Sequence, residues 1–168
     1  MKYIFAPLLL IVVLILQGCP LQTKNSIDEG SYDIPSWLPG KWKLMSNDDK
    51  TAPIYLLGKD ESRKANMLAF PYDSLGNIST DNYYRMILST VGDKIFVNVY
   101  DNGDSGGEEG YYIYLLKIIS NTTIKLVGVK ESSVDGDIEP EKLKEWLLAH
   151  KDDDSIYDSS EEQTYLKQ

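Results

Sequence analysis

Histidine and cysteine are almost missing from this 168-residue chain, which has one of each, His150 and Cys19. A single cysteine rules out an intramolecular disulfide, and the two residues together are too few for a structural zinc site. Basic residues are scarce as well: 17 Lys and Arg stand against 26 Asp and Glu, a formal net charge of −9. No nucleic-acid partner is expected, because affinity for a phosphate backbone comes from clustered Lys and Arg. The sequence contains no phosphate-binding glycine loop, dinucleotide fingerprint or nucleophile elbow. No cofactor and no metal centre are implied.

The one long apolar run is Ile4 to Leu16, preceded by Lys2 and followed by Gln17-Gly18-Cys19. It falls short of the ~20 residues that a spanning helix needs. A short positive start, an apolar centre and a small residue at its end form the layout of a secretory signal peptide. The four residues Leu16-Gln17-Gly18-Cys19 resemble the lipobox of bacterial lipoproteins. That resemblance implies a diacylglyceryl group on the Cys19 sulfur and cleavage before it, so that Cys19 becomes the first residue of the mature chain. The chemistry is sensible, since a thiolate is the strongest nucleophile available for thioether formation and each buried CH₂ adds ~0.8 kcal/mol of membrane affinity. Pro20 follows the cysteine where an enteric-type retention signal has aspartate, so the resemblance implies an outer-membrane location.

Removing residues 1–18 takes away one charge, that of Lys2, and leaves enough chain for one ordinary domain. Three regions are expected: a signal peptide over 1–18, a lipidated flexible tether over 19–36, and a single β-rich domain over 37–168. The stretch PLQTKNSIDEGSYDIPS (20–36) reads as tether because it is polar, rich in turn formers and without period. From Trp37 onward the pattern changes. Short runs rich in tyrosine and β-branched residues occur at 41–46, 53–58, 66–72, 83–91, 94–100, 111–119 and 123–131. Val91-Gly92-Asp93-Lys94 and Ser120-Asn121-Thr122 have the composition of tight hairpin turns. The run 111–119 is apolar on both faces and is expected at the centre of the sheet.

One helix is predicted over 140–150: Pro140 opens it, Leu143, Trp146 and Leu147 share a face, and His150 lies at the negative end. It is expected to cover an open side of the sheet. The tail KDDDSIYDSS reads as a solvated loop, and 162–167 as an eighth short strand. The fold class is therefore mainly β, an antiparallel meander closing into a small, half-open barrel with one C-terminal helix. Gly40-Lys41-Trp42 is similar to the Gly-x-Trp opening of lipocalin-type barrels, in which the tryptophan plugs one end, and the small barrel is lipocalin-like in that architectural sense.

Residues 103–107 spell Gly-Asp-Ser-Gly-Gly, the letters around the nucleophile of chymotrypsin-like proteases. Ser105 needs an imidazole and an orienting aspartate. His150 follows the serine instead of preceding it, and the chain is too short for a double barrel, so a glycine-rich hairpin loop is the better reading. Asp101, Ser105 and Gly106 only partly match a calcium loop, with Tyr112 where its bidentate glutamate belongs. Paired Glu108 and Glu109 are the remaining candidates for hydrolysis, while Asp135, Asp137 and Glu139 read as helix-capping carboxylates. The tyrosines Tyr83, Tyr84, Tyr111, Tyr112 and Tyr114 are candidates to line a ligand pocket. With no catalytic constellation, the chain is expected to be a non-enzymatic envelope lipoprotein that binds a protein or small ligand. The alternative is an inhibitor or immunity lipoprotein covering a basic toxin or lytic enzyme.

Overall fold

A computed structural model describes residues 20–45, 52–61, 66–81, 83–101 and 109–168. After a two-residue strand β1 (Gln22–Thr23), eight longer strands follow: β2 (Gly40–Leu44), β3 (Ile54–Lys59), β4 (Asn66–Pro71), β5 (Tyr84–Val91), β6 (Lys94–Asp101), β7 (Gly110–Ser120), β8 (Thr123–Val129) and β9 (Tyr157–Lys167). Among the described residues the α-helix, α1, is Pro140–His150, as its spacing predicts. Each long strand pairs antiparallel with its neighbours, and β9 joins β2 on one side and β8 on the other, so the eight strands form a closed barrel with no free edge. The Gly92-Asp93 turn between β5 and β6 is one of the tight connections; Gly92 has φ +62°, a conformation glycine adopts without strain.

Period-2 alternation sorts the side chains into two cores. Leu88, Val97, Leu116 and Ile124 point into the barrel with Trp42, Leu57 and Met67. Val91, Phe96, Ile113, Leu115, Val127 and Val129 point outward and are covered by Leu143 and Leu147 of α1. This explains why the run 111–119 is apolar on both faces: β7 has the barrel core on one side and the helix core on the other. The helix thus covers the outer wall of a closed barrel, and the open side it was expected to fill is sealed by β9.

Two regions differ from the sequence reading. The segment 20–36 is no free tether over its described length: Leu21, Ile27 and Ile34 are buried, and β1 pairs with Tyr111 and Tyr112 of β7. Its apolar residues have no period because they fill separate gaps on a closed surface, two in the outer core and Ile34 beneath the barrel. The tail is the second correction. Ile156 and Tyr157 are buried, and β9 runs from Tyr157, five residues ahead of the expected strand. A register shift opposite Leu126 and Gly128 loops out part of this strand, and Asp158 steadies it by accepting from the Ser160 N–H at 3.0 Å. The bulge breaks the alternation that would have marked the strand.

Candidate functional site

The barrel encloses a cavity of about 270 Å³. Its floor is built by the Gly-x-Trp element. Trp42 is 1% exposed, and its indole N–H donates to the Leu38 carbonyl at 2.8 Å, so the polar atom of a buried ring is satisfied. Trp37 packs edge-on against it, with ring centres 6.5 Å apart. Lys167, at the end of β9, lays its ammonium 5.6 Å from the centre of the Trp42 ring and donates to the carbonyls of Trp37 and Pro39. Gly40 is required here: its φ is +132°, and a side chain would meet the Lys167 stem at 3.0 Å. Trp42 therefore closes one end of the barrel.

From the floor upward the wall is apolar: Leu57, Met67, Ala69, Leu88, Val97 and Leu116 are all buried. Toward the opposite end the lining becomes half-buried and hydroxylated. Tyr55 contacts Tyr84 and Tyr165 edge-on at 6.2 Å each, and the Tyr165 hydroxyl donates to Gln163 Oε1 at 2.7 Å. Tyr114 completes this belt. Burial pushes the Tyr165 and Tyr55 phenols above their usual pKa, and neighbouring phenols add to the effect. They stay neutral at physiological pH. None of the described residues lining the cavity is acidic, basic or histidine. Such a site holds an uncharged, largely apolar molecule, with phenol and amide groups near the mouth for one polar end.

The sequence candidates scatter. Tyr84 and Tyr114 line the cavity, whereas Tyr111 faces the outer core and packs on Tyr100 at 5.3 Å, and Tyr83 is an exposed neighbour of Phe70. His150 stacks on Trp146, with Nδ1 2.8 Å from the Trp146 carbonyl oxygen. Cys19, Ser105, Gly106 and Glu108 lie outside the described residues, and Glu109 accepts from the Tyr100 hydroxyl. Asp135, Asp137 and Glu139 do not cap α1: Glu139 makes no side-chain cap, Asp135 accepts from the Asp137 N–H at 3.0 Å, and Asp137 pairs with Lys24 at 2.8 Å. Among the described residues no cluster of His, Cys, Asp and Glu is arranged to hold a metal ion, and no helix is long and apolar enough to cross a membrane. Tyr55, Gln163 and Tyr165 were missed by sequence reasoning. The signal for Tyr55 was its position two residues before Leu57 on one strand face; Gln163 and Tyr165 sit on the strand hidden by the bulge. No protein family, curated protein or solved structure matches the chain.

Proposed function

We propose that the protein is an envelope lipoprotein, anchored through a lipid on Cys19 and located at the outer membrane, whose barrel binds a small uncharged apolar ligand without catalysing its conversion. The observation that carries the binding reading is the cavity itself. It is apolar at the floor, hydroxylated toward the mouth and, among the described residues, without an acidic, basic or histidine side chain in its lining. Its volume is a little below the ~300–1,000 Å³ of ordinary ligand sites, which favours a compact ligand or one end of a chain. The anchoring reading is supported by the Leu-Gln-Gly-Cys pattern behind an apolar leader.

Two measurements test the proposal separately. Radiolabelled palmitate enters the wild-type protein and fails to enter Cys19→Ser, which also loses its membrane fractionation; incorporation by the variant would refute the anchor. Protein purified gently from membranes carries an apolar molecule that organic extraction and mass spectrometry detect, and addition of that molecule to stripped protein changes Trp42 fluorescence. An empty cavity, with a strongly basic enzyme recovered from envelope extracts, would favour the inhibitor instead.

A further inference from the structure

The chain enters the barrel at the mouth. Pro20 bridges to Lys130, beyond the end of β8, and the next residue, Leu21, donates its N–H to the Val129 carbonyl and accepts from the Ile113 N–H at 3.0 Å. Leu21 is fully buried in the outer core. In extended chain the preceding residue faces the other way, and Pro20 does so: its ring fills the space in front of Gly128, where a side chain would meet it at 3.4 Å. Gly128 is the register partner of Tyr114, which lines the cavity. Cys19 immediately precedes Pro20 in the sequence. Any lipid on Cys19 therefore starts at the rim, with no tether in between.

The same end of the barrel carries several exposed apolar side chains. Met45 follows β2, and Leu75, Ile78 and Tyr83 lie in the β4–β5 connection. Leu75 is 85% exposed, yet it is held in an ordered turn: Asp73 Oδ1 accepts from the Leu75 and Asn77 N–H groups at 2.9 and 2.8 Å, and Tyr72 bridges to Ile78. An ordered loop that presents leucine, isoleucine and tyrosine to solvent at the same end of the barrel as a lipid attachment point has the composition of a membrane-interface anchor. The β4–β5 connection itself carries exposed Asp73 and Asp81 and has no Lys or Arg in its sequence, so an anionic surface would repel this end.

We infer that the open end of the barrel rests on the bilayer holding the Cys19 lipid, with Leu75, Ile78 and Tyr83 in the interface of a zwitterionic leaflet, so that the cavity exchanges its ligand with the membrane. This inference rests on the anchoring proposal. It places the closed end, with Trp42 and the β7–β8 turn, farthest from the lipid.

The test uses full-length lipidated protein reconstituted into phosphatidylcholine vesicles. Because Cys19 is blocked by its lipid, Leu75→Cys and Ile119→Cys each provide one free thiol for an environment-sensitive fluorophore. The label at 75 is expected to shift to the blue and be quenched by doxyl-labelled lipid, while the label at 119, at the closed end, emits as in water. Water-like emission at 75, or quenching at 119, would overturn the orientation. Flotation of the unlabelled wild type separates the two readings: protein that floats while position 75 stays wet keeps its anchor and loses this orientation, whereas protein that does not float loses both. Added phosphatidylglycerol is expected to weaken quenching at 75, and stronger quenching would overturn the zwitterionic assignment.

Discussion

Asp28 and Lys144 form an ion pair of 2.7 Å across 116 residues of sequence. The pair links the N-terminal segment to α1, and the same carboxylate accepts from Ser89 of β5 at 2.6 Å, from Ser31 at 2.8 Å and from the Gly30 N–H at 2.9 Å. Three parts of the molecule that are distant in sequence therefore meet on one side chain.

Partial burial pushes the Asp28 pKa up, but Lys144, Ser89, Ser31 and the Gly30 N–H together outweigh it, and the net value lies below that of a free carboxylate. A depressed folded-state pKa contributes stability that is fully present above the unfolded value of about 3.9 and is lost as pH falls through the folded value. Asp28→Ala also leaves the fully buried Ser89 hydroxyl without this acceptor. The variant is expected to lose roughly 1.5–3 kcal/mol at pH 7, and its deficit in denaturant titrations should shrink as pH falls through the depressed folded-state value. A deficit unchanged at low pH would show that packing, not charge, holds this junction.

Leu21 and Ile27 sit in the same outer core as Leu143 and Leu147. A chain begun at Trp37, where the composition places the start of the domain, exposes that core and loses the Ile27 N–H donated to buried Asn98 Oδ1 at 2.9 Å. A chain begun at Pro20 should unfold cooperatively on heating, and one begun at Trp37 should aggregate or melt without a sharp transition. The single variant Leu21→Ala is expected to cost roughly 2–5 kcal/mol, measurable by urea denaturation. Equal Tm values for the two chains would return residues 20–36 to the role of tether.

What the sequence conveyed follows a physical division. Alternation marked β5 to β8 and the two-faced character of β7, because a closed barrel with a helix outside imposes period 2 on every regular strand. Pro140 and the spacing of Leu143, Trp146 and Leu147 defined α1 to the residue. Where the chain departs from regular geometry the signal vanished: β9 contains a bulge between Asp158 and Gln163, and the N-terminal segment packs through isolated residues such as Leu21. The cavity was legible only in part. Tyr84 and Tyr114 stood out as aromatic clusters, but which tyrosine faces inward depends on strand register, which is a tertiary fact.

Two glycines separate strain from space. Gly40 has φ +132° and faces the stem of Lys167, whereas Gly58 has only Phe70 near its open position, at 3.9 Å. Gly40→Ala must adopt a backbone that alanine avoids, at a cost of about 1–3 kcal/mol. Gly58→Ala fits without strain and removes freedom from the unfolded chain, a gain of about 0.4–1 kcal/mol. Thermal denaturation of the two variants should therefore move in opposite directions. A common loss would show that strand β3 needs glycine for some reason other than its backbone angles.

Ala69 offers a direct test of whether the barrel holds usable space. It is 5% exposed and lines the cavity on β4. In a well-packed core, inserting a larger side chain costs about 1–3 kcal/mol through off-rotamer conformations and backbone shifts. Here a phenylalanine ring has about 270 Å³ to enter, and it replaces empty contacts with dispersion attraction. Ala69→Phe is thus expected to keep or raise the Tm of stripped protein and to abolish the Trp42 fluorescence change on adding the apolar ligand. Tyr165→Phe acts at the other end of the cavity: it removes the hydroxyl that donates to Gln163 at 2.7 Å and leaves the apolar floor intact. Affinity for a ligand with a polar end should fall about fivefold to tenfold, in line with one neutral hydrogen bond, while a pure hydrocarbon binds as before. Destabilisation by Ala69→Phe with ligand binding retained would mean that the ligand sits outside the barrel, and the tyrosine belt would then be packing alone.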